Sequence, residues 1–315
     1  MKIRNITRED YSGQVYNIGT TPDHSYFANS LLVHNCYKSN TSKGKNMSLN
    51  TFKDIFQRIP KNLTQVAFGI GSIDANPDLW KIMEYCRDNP HNEVVPNITV
   101  NGKDISDEHV SRLSTICGAV AVSHYNDSDC FSSVDRLGRA GLKQVNIHKV
   151  LCMETYNECI NLINQVRIEE ELERLNAIVF LLMKPKGSRN RTTQLRNLDM
   201  YKNLITRAMT MDVPIGFDSC SAPSFLKVIQ DNPDKKLLEM ICEPCESYCF
   251  SLYINVNGEV FPCSFCDEEP GHNPIKIQNT ENFLRDVWES PQAESFRNKL
   301  MANERKCPVF DLEMT

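Results

Sequence analysis

The 315-residue sequence contains no apolar run near the ~18 residues that would cross a bilayer. Its first ten residues, MKIRNITRED, carry charges where a secretory signal would place its apolar stretch. It has no excess of positive charge either. Lys and Arg number 35 against 40 Asp and Glu, a formal net charge of −5. No footprint for sequence-independent nucleic-acid binding follows from that balance, and no nucleic-acid or membrane partner is expected. These absences point to the cytoplasm. What the chain has is an ordinary globular apolar content, 41%, and 13 cysteines. In a reducing compartment cysteines serve as metal, cluster or catalytic ligands more often than as disulfides.

The cysteines are unevenly placed. Seven (Cys220, Cys242, Cys245, Cys249, Cys263, Cys266 and Cys307) fall in the last 96 residues. Five others (Cys86, Cys117, Cys130, Cys152 and Cys159) sit among apolar neighbours and read as small buried thiols. Cys36 stands apart, in SLLVHNCYK.

Residues 1–35 read as short strands and turns, with VYNIG alternating apolar and polar residues. The segment is too small to hold a core of its own. Its end carries specific chemistry. The Asn35 amide nitrogen can attack its own main-chain carbonyl, forming a succinimide and breaking the 35–36 peptide bond. His34 is placed to protonate the leaving amine. Cys36 can accept an acyl group as a thiolate nucleophile. The other reading is an ordinary β-rich N-terminal extension. The whole run VYNIGTTPDHSYFANSLLVHNC resembles the C-terminal splicing segment of an intein. That resemblance implies that Asn35 cyclises, that His34 and His24 assist, and that Cys36 is the first residue of the downstream extein. A fragment of a split intein and a truncated contiguous intein would look alike here.

From Leu49 onward strands and helices alternate. The spacing predicts helices over 49–59, 77–89, 106–117, 128–140, 154–175 and 192–211. It predicts strands over 64–71, 97–102, 118–125, 144–151, 176–183 and 214–220. That alternation argues for an α/β fold with a parallel sheet, whose chemistry belongs at the C-terminal strand ends. The mouth would hold Gly69-Ile70-Gly71, Asn101-Gly102, Ser123, His148 and the loop after Met183. His148 reads as a satisfied core histidine, and the basic loop KPKGSRNR as a solvated face.

Cys36-Tyr37-Lys38, FGIGSIDANPDL, VNIHKVL and VFLLMKPKG together resemble a radical S-adenosylmethionine (SAM) enzyme. That family holds a [4Fe–4S] cluster on a CxxxCxxC motif, and Cys36 fits the third cysteine. The resemblance implies a partial (β/α)6 radical SAM barrel over 36–219 that lacks its first strand. It also implies SAM contacts at Gly69, Ile70, Gly71 and Ser123. The acidic residue of the family's glycine motif is replaced here by Ser72-Ile73. The two resemblances interlock. An N-terminal intein/extein polypeptide would supply the missing strand and the first two cluster cysteines, and splicing would complete the motif at Cys36. A one-electron donor is a further implied partner.

CEPCESYCFSLYINVNGEVFPCSFC brings five cysteines around Asn257-Gly258, a two-residue hairpin signal. A helix over 281–303 is predicted before Cys307. Clustered cysteines on turns suit an iron–sulfur or a zinc site, or else are buried free thiols. Cys245-x12-Gly258-x4-Cys263 is similar to the opening of the SPASM or twitch auxiliary-cluster extensions of radical SAM enzymes. Residues 220–315 are therefore expected to form a Cys-rich extension holding one auxiliary [4Fe–4S] cluster on Cys220, Cys245, Cys263 and Cys307. Relatives with such extensions often modify peptides, which makes a peptide the suggested substrate. The contrasting reading is a zinc-binding or structural protein without SAM chemistry, with zinc on Cys242/Cys245 or Cys263/Cys266.

Overall fold

The computed structural model describes residues 45–70, 72–89, 94–186, 191–240, 242–267 and 269–315. The splicing segment 1–35, its residues His24, His34 and Asn35, and also Cys36 and Gly71, lie outside the described residues.

Ser48 starts the first helix, α1 (Leu49–Arg58), by accepting a hydrogen bond from the Thr51 amide at 3.2 Å. Strands and helices then alternate: β1 (Gln65–Gly69), α2 (Leu79–Asp88), β2 (Val95–Val100), α3 (Asp107–Ile116), β3 (Ala119–Ser123), α4 (Asp127–Arg139), β4 (Gln144–Leu151), α5 (Tyr156–Gln165), β5 (Ala177–Leu182), α6 (Leu198–Thr210) and β6 (Ile215–Phe217). The six strands form one parallel sheet in sequence order, with β1 and β6 at its edges. Two short helices follow, α7 (Ala222–Val228) and α8 (Lys235–Met240).

Residue alternation gives the sheet two different faces. Ile98, Val100, Val120, Val122, Val145, Ile147, Ile178 and Phe180 pack with Met83, Leu113, Leu137, Leu162 and Leu204 of the helices in one buried cluster. The opposite face carries the intervening residues Thr99, Ala121, Ser123, Asn146, His148 and Val179. Register sets Ser123 beside His148, and His148 beside Val179. Among the described residues no helix is long and apolar enough to cross a membrane.

Three helices and Gly102 depart from the sequence expectation. The predicted helix 154–175 stops at Gln165 and resumes only as a 3-10 turn at Glu170–Leu172. Glu169, Glu170, Glu171 and Glu173 would have placed like charges at the negative end of the helix dipole. Helix α6 starts six residues late. Thr193 is tied to the preceding layer, its amide donating to Glu154 at 2.8 Å and its carbonyl accepting from Met153, so Asn197 becomes the cap. The predicted helix 281–303 is split at Pro291, which lacks the amide needed to continue it. A π-helical turn spans Leu284–Trp288, and Ser290 caps α9 (Pro291–Ala302). Gly102 does not open toward a ligand. It is buried against α4, where its carbonyl accepts from Ser133 Oγ at 3.0 Å.

The C-terminal part forms a three-stranded antiparallel sheet: β7 (Tyr253–Ile254), β8 (Glu259–Phe261) and β9 (Ile275–Lys276). The hairpin loop has three residues rather than two. Asn255 N donates to Glu259 O at 3.0 Å, and Gly258 N donates to Asn255 O at 2.9 Å. Gly258 sits in the left-handed region at φ +76°, where a three-residue loop places its glycine. A Cβ there would also lie 2.3 Å from the Gln278 amide. Gly258→Ala is expected to destabilise the hairpin by ~1–2 kcal/mol, the cost of forcing an L-residue into that conformation. A lowered urea midpoint in chemical denaturation checks this. A second buried cluster (Cys245, Tyr248, Val260, Phe261, Ile277, Val287 and Phe296) closes around this sheet and takes in Ile55 of α1.

Candidate cluster site and sheet mouth

The late cysteines come from four separate places. Cys220 follows β6, Cys245 precedes β7, Cys263 follows β8, and Cys307 lies beyond α9. Cys245, Cys263 and Cys307 lie within electrostatic reach of one another, and Cys220 within reach of Cys245 and Cys307. Cys220 feels the charge of Cys307 and Cys245. Cys245 feels that of Cys263, and Cys307 that of Cys263 and Cys245. Cys245 is buried, and the other three are half-buried. No disulfide joins any described cysteine.

Burial and mutual repulsion keep these thiols protonated in the absence of metal. Burial raises Cys220 well above the ordinary thiol range, with Lys184 opposing it. Cys307 is pushed up to about 11, first by burial. Cys263 is raised by its contact with Cys266, 3.6 Å away, and then by burial. Deprotonating four such groups together needs a strong positive charge between them, which a metal centre supplies. The surroundings already offer hydrogen bonds to sulfur. The Phe310 amide reaches Cys307 Sγ at 3.4 Å, and Cys245 Sγ lies 3.3 Å from Ser247 Oγ.

Among the described residues no three His, Cys, Asp or Glu side chains lie close enough to hold one metal ion. A four-iron cube is larger than an ion, and its four thiolates stand further apart. An all-cysteine set, shielded from solvent in whole or in part and drawn from four segments, has the donor chemistry of such a cube. The remaining late cysteines are elsewhere or secondary. Cys242 packs against the helical core near the Ala222 carbonyl, 4.0 Å away. Cys249 lies beside Arg305, Arg297 and Glu246. Cys266 is fully buried next to Cys263.

Sequence reasoning missed the lysines. Lys184 and Lys186, read from the sequence as a solvated face, turn inward. Lys184 pairs with Asp218 in a buried ion pair and stands over the Phe265 ring at 4.9 Å. Lys186 donates to the carbonyls of Phe265 at 2.7 Å and Asp267 at 2.6 Å, and pairs with Glu269. No local signal marks this, because the partners lie far along the chain.

At the sheet mouth, Gly69 ends β1 and is exposed, and Ile70 is half-buried beside it. Ser123 ends β3 and is half-buried. His148, expected to be satisfied, is not. Neither ring nitrogen has a hydrogen-bond partner, and the same holds for Thr99 Oγ1. Burial alone lowers His148 to about 3, so the imidazole is neutral. Unpaired buried polar groups are costly, and two on the same sheet face mark a place where a ligand can supply the missing partner.

Residues 242–309 match the SPASM family, an iron–sulfur cluster-binding domain. The matched region contains Cys245, Cys263 and Cys307, while Cys220 lies before it, just after β6. Solved structures share the fold. SuiB of Streptococcus suis bound to S-adenosylmethionine aligns with a TM-score of 0.55 at 15% identity, covering 75% of this chain and 57% of SuiB. Native anSMEcpe with bound AdoMet aligns at 0.56 and 14% identity, covering 79% of this chain and 74% of that one. The same enzyme with AdoMet and the Cp18Cys peptide aligns at 0.57 and 14% identity, with the same coverage. The chain therefore spans a little over half of SuiB. No curated protein matches its sequence. The α/β parallel sheet is the fold this chain shares with these S-adenosylmethionine-bound structures.

Proposed function

We propose that residues 36–315 are the C-terminal part of a radical SAM enzyme whose SPASM region holds an auxiliary [4Fe–4S] cluster on Cys220, Cys245, Cys263 and Cys307. What supports this is the match of residues 242–309 to an iron–sulfur cluster-binding domain, which takes in three of the four cysteines, with Cys220 within electrostatic reach of two of them. Cys36 would supply one thiolate to the SAM-binding cluster, and Gly69, Ile70, Gly71 and Ser123 would hold SAM. Cluster and SAM, when bound, would supply one-electron radical chemistry toward a C–H bond of the substrate. The chain's own residues do the rest. Exposed Gly69 lets the ligand approach the main chain without a side chain in the way. Neutral His148 and Thr99 offer hydrogen bonds in a site largely shielded from water. A peptide substrate is proposed from the peptide-bound structure among those similar to this chain.

Residues 1–35 act first, as the intein segment that releases Cys36 to join an upstream extein. β1 lies at the sheet edge among the described residues, which leaves a place for the strand that this extein would add. The enzyme reading is tested by anaerobic reconstitution of the spliced product with iron and sulfide. Absorption typical of thiolate-bound iron, and 5′-deoxyadenosine formed from SAM with a one-electron reductant, are expected. Tight zinc uptake alone would instead support a zinc-binding protein.

His148→Leu separates the ligand role from a structural one. Removing an unsatisfied buried group should leave the melting temperature unchanged or raise it. The lost hydrogen bond should weaken SAM binding roughly tenfold, the equivalent of ~1.4 kcal/mol. Equilibrium dialysis with SAM reads the second effect.

A further inference from the structure

Lys184 leaves the C-terminal end of β5 and reaches the cysteine site. Its side chain is 4% exposed, and that of its partner Asp218 is 9% exposed. Asp218 lies two residues before Cys220 and also accepts from Ser221 Oγ at 2.7 Å. Phe265, under the Lys184 ammonium, lies between Cys263 and Cys266. The pair is thus wedged between the elements that carry Cys220 and Cys263.

We propose that Lys184 is a fixed buried cation that raises the one-electron reduction potential of the auxiliary cluster, and that Asp218 positions it and partly offsets its charge. The proposal rests on the reading of Cys220, Cys245, Cys263 and Cys307 as cluster ligands. A cluster with four thiolates is an anion, and reduction adds one more negative charge. A nearby cation therefore favours the reduced form, and a nearby anion disfavours it. In a buried setting neither effect is well screened.

The two charges are not placed alike. Lys184 stands over Phe265, between Cys263 and Cys266, and also meets Asp218 on the Cys220 side, whereas Asp218 is turned to Lys184 and Ser221. Desolvation pulls the Lys184 ammonium toward neutrality, but the Asp218 carboxylate beside it holds it charged. The cation therefore faces both sides of the cysteine set, and the anion one.

The test is redox titration of the auxiliary cluster in the anaerobically reconstituted full chain, read by electron paramagnetic resonance with electrode mediators supplying electrons. The signal is assigned to this cluster by its loss in Cys263→Ala/Cys266→Ala. Lys184→Met is expected to shift the midpoint downward by at least the tenfold change in the one-electron equilibrium that corresponds to about 59 mV. Asp218→Asn is expected to shift it upward. Lys184→Arg, which keeps the charge, is expected to stay near the parent. Iron and sulfide content should match the parent in all three. A purely structural role for the pair gives no opposed signs. Unmoved midpoints, or shifts of Lys184→Met and Asp218→Asn in the same direction, overturn the proposal. If Lys184→Met does not fold, Asp218→Asn decides alone: an upward shift supports it and any other result rejects it. A parent chain that takes up no iron and sulfide removes the cluster reading itself, a failure recognisable before any titration.

Discussion

Replacing Cys263 with alanine is expected to lower the iron and sulfide of the reconstituted chain, and replacing Cys263 and Cys266 together to remove one cluster's worth. The difference follows from geometry. Cys266 Sγ lies 3.6 Å from Cys263 Sγ and is fully buried. It can move into a vacated corner and rescue part of the population. Cys245 Sγ contacts the Ser247 hydroxyl and Cys307 Sγ the Phe310 amide, rather than a second thiol. Cys245→Ala and Cys307→Ala should therefore lose as much iron singly as the double variant at Cys263 and Cys266. Cys242→Ala is the control, since that thiol faces the helical core near Ala222. Its iron content should equal that of the parent. Iron and acid-labile sulfide assays read all of these. Full iron in Cys307→Ala would remove it from the ligand set, and lost iron in Cys242→Ala would mean that the site is centred elsewhere.

Much of the fold is legible in the sequence because its signals are local. Ser48 before an apolar helical stripe gives α1, and alternating apolar runs give the six parallel strands almost to the residue at β4. Gly258 announces a hairpin because only a residue tolerant of positive φ fits there. The misplaced boundaries have nonlocal or electrostatic causes. The acidic run after Gln165 ends α5 early, and the Glu154–Thr193 tether delays α6. At the candidate site, local spacing drew attention to the cysteines, but the lysines escaped. A basic stretch such as KPKG looks solvated until the fold sets Asp218 and the Phe265 and Asp267 carbonyls against it. His148 escaped for a similar reason. Strand periodicity says that it is buried, but only the packed neighbours say that both nitrogens lack partners.

Asn35→Ala is expected to abolish both splicing and cleavage at the 35–36 bond when the chain is co-expressed with an upstream partner. Alanine has no side-chain nitrogen to attack the main-chain carbonyl, so no succinimide forms and that bond persists. Loss should be complete rather than partial, because an uncatalysed peptide bond does not break on this timescale. His34→Ala should slow the same step without removing its nucleophile, leaving residual product, since a positioned acid accounts for ~10²–10⁴-fold of rate. Cys36→Ala should block transfer of the upstream chain but still permit Asn35-dependent cleavage. Intact-mass spectrometry distinguishes the three: unspliced chain, slow ligated product, and the released 36–315 fragment. The last variant also joins the two halves of the proposal. Cys36→Ser keeps a nucleophilic oxygen for acyl transfer but offers iron a weaker ligand than a thiolate. It should therefore yield ligated protein that assembles the auxiliary cluster and makes far less 5′-deoxyadenosine. Ligated Cys36→Ser with parent-level SAM cleavage would free residue 36 from any role as an iron ligand, and with it the reason for placing a splice junction there.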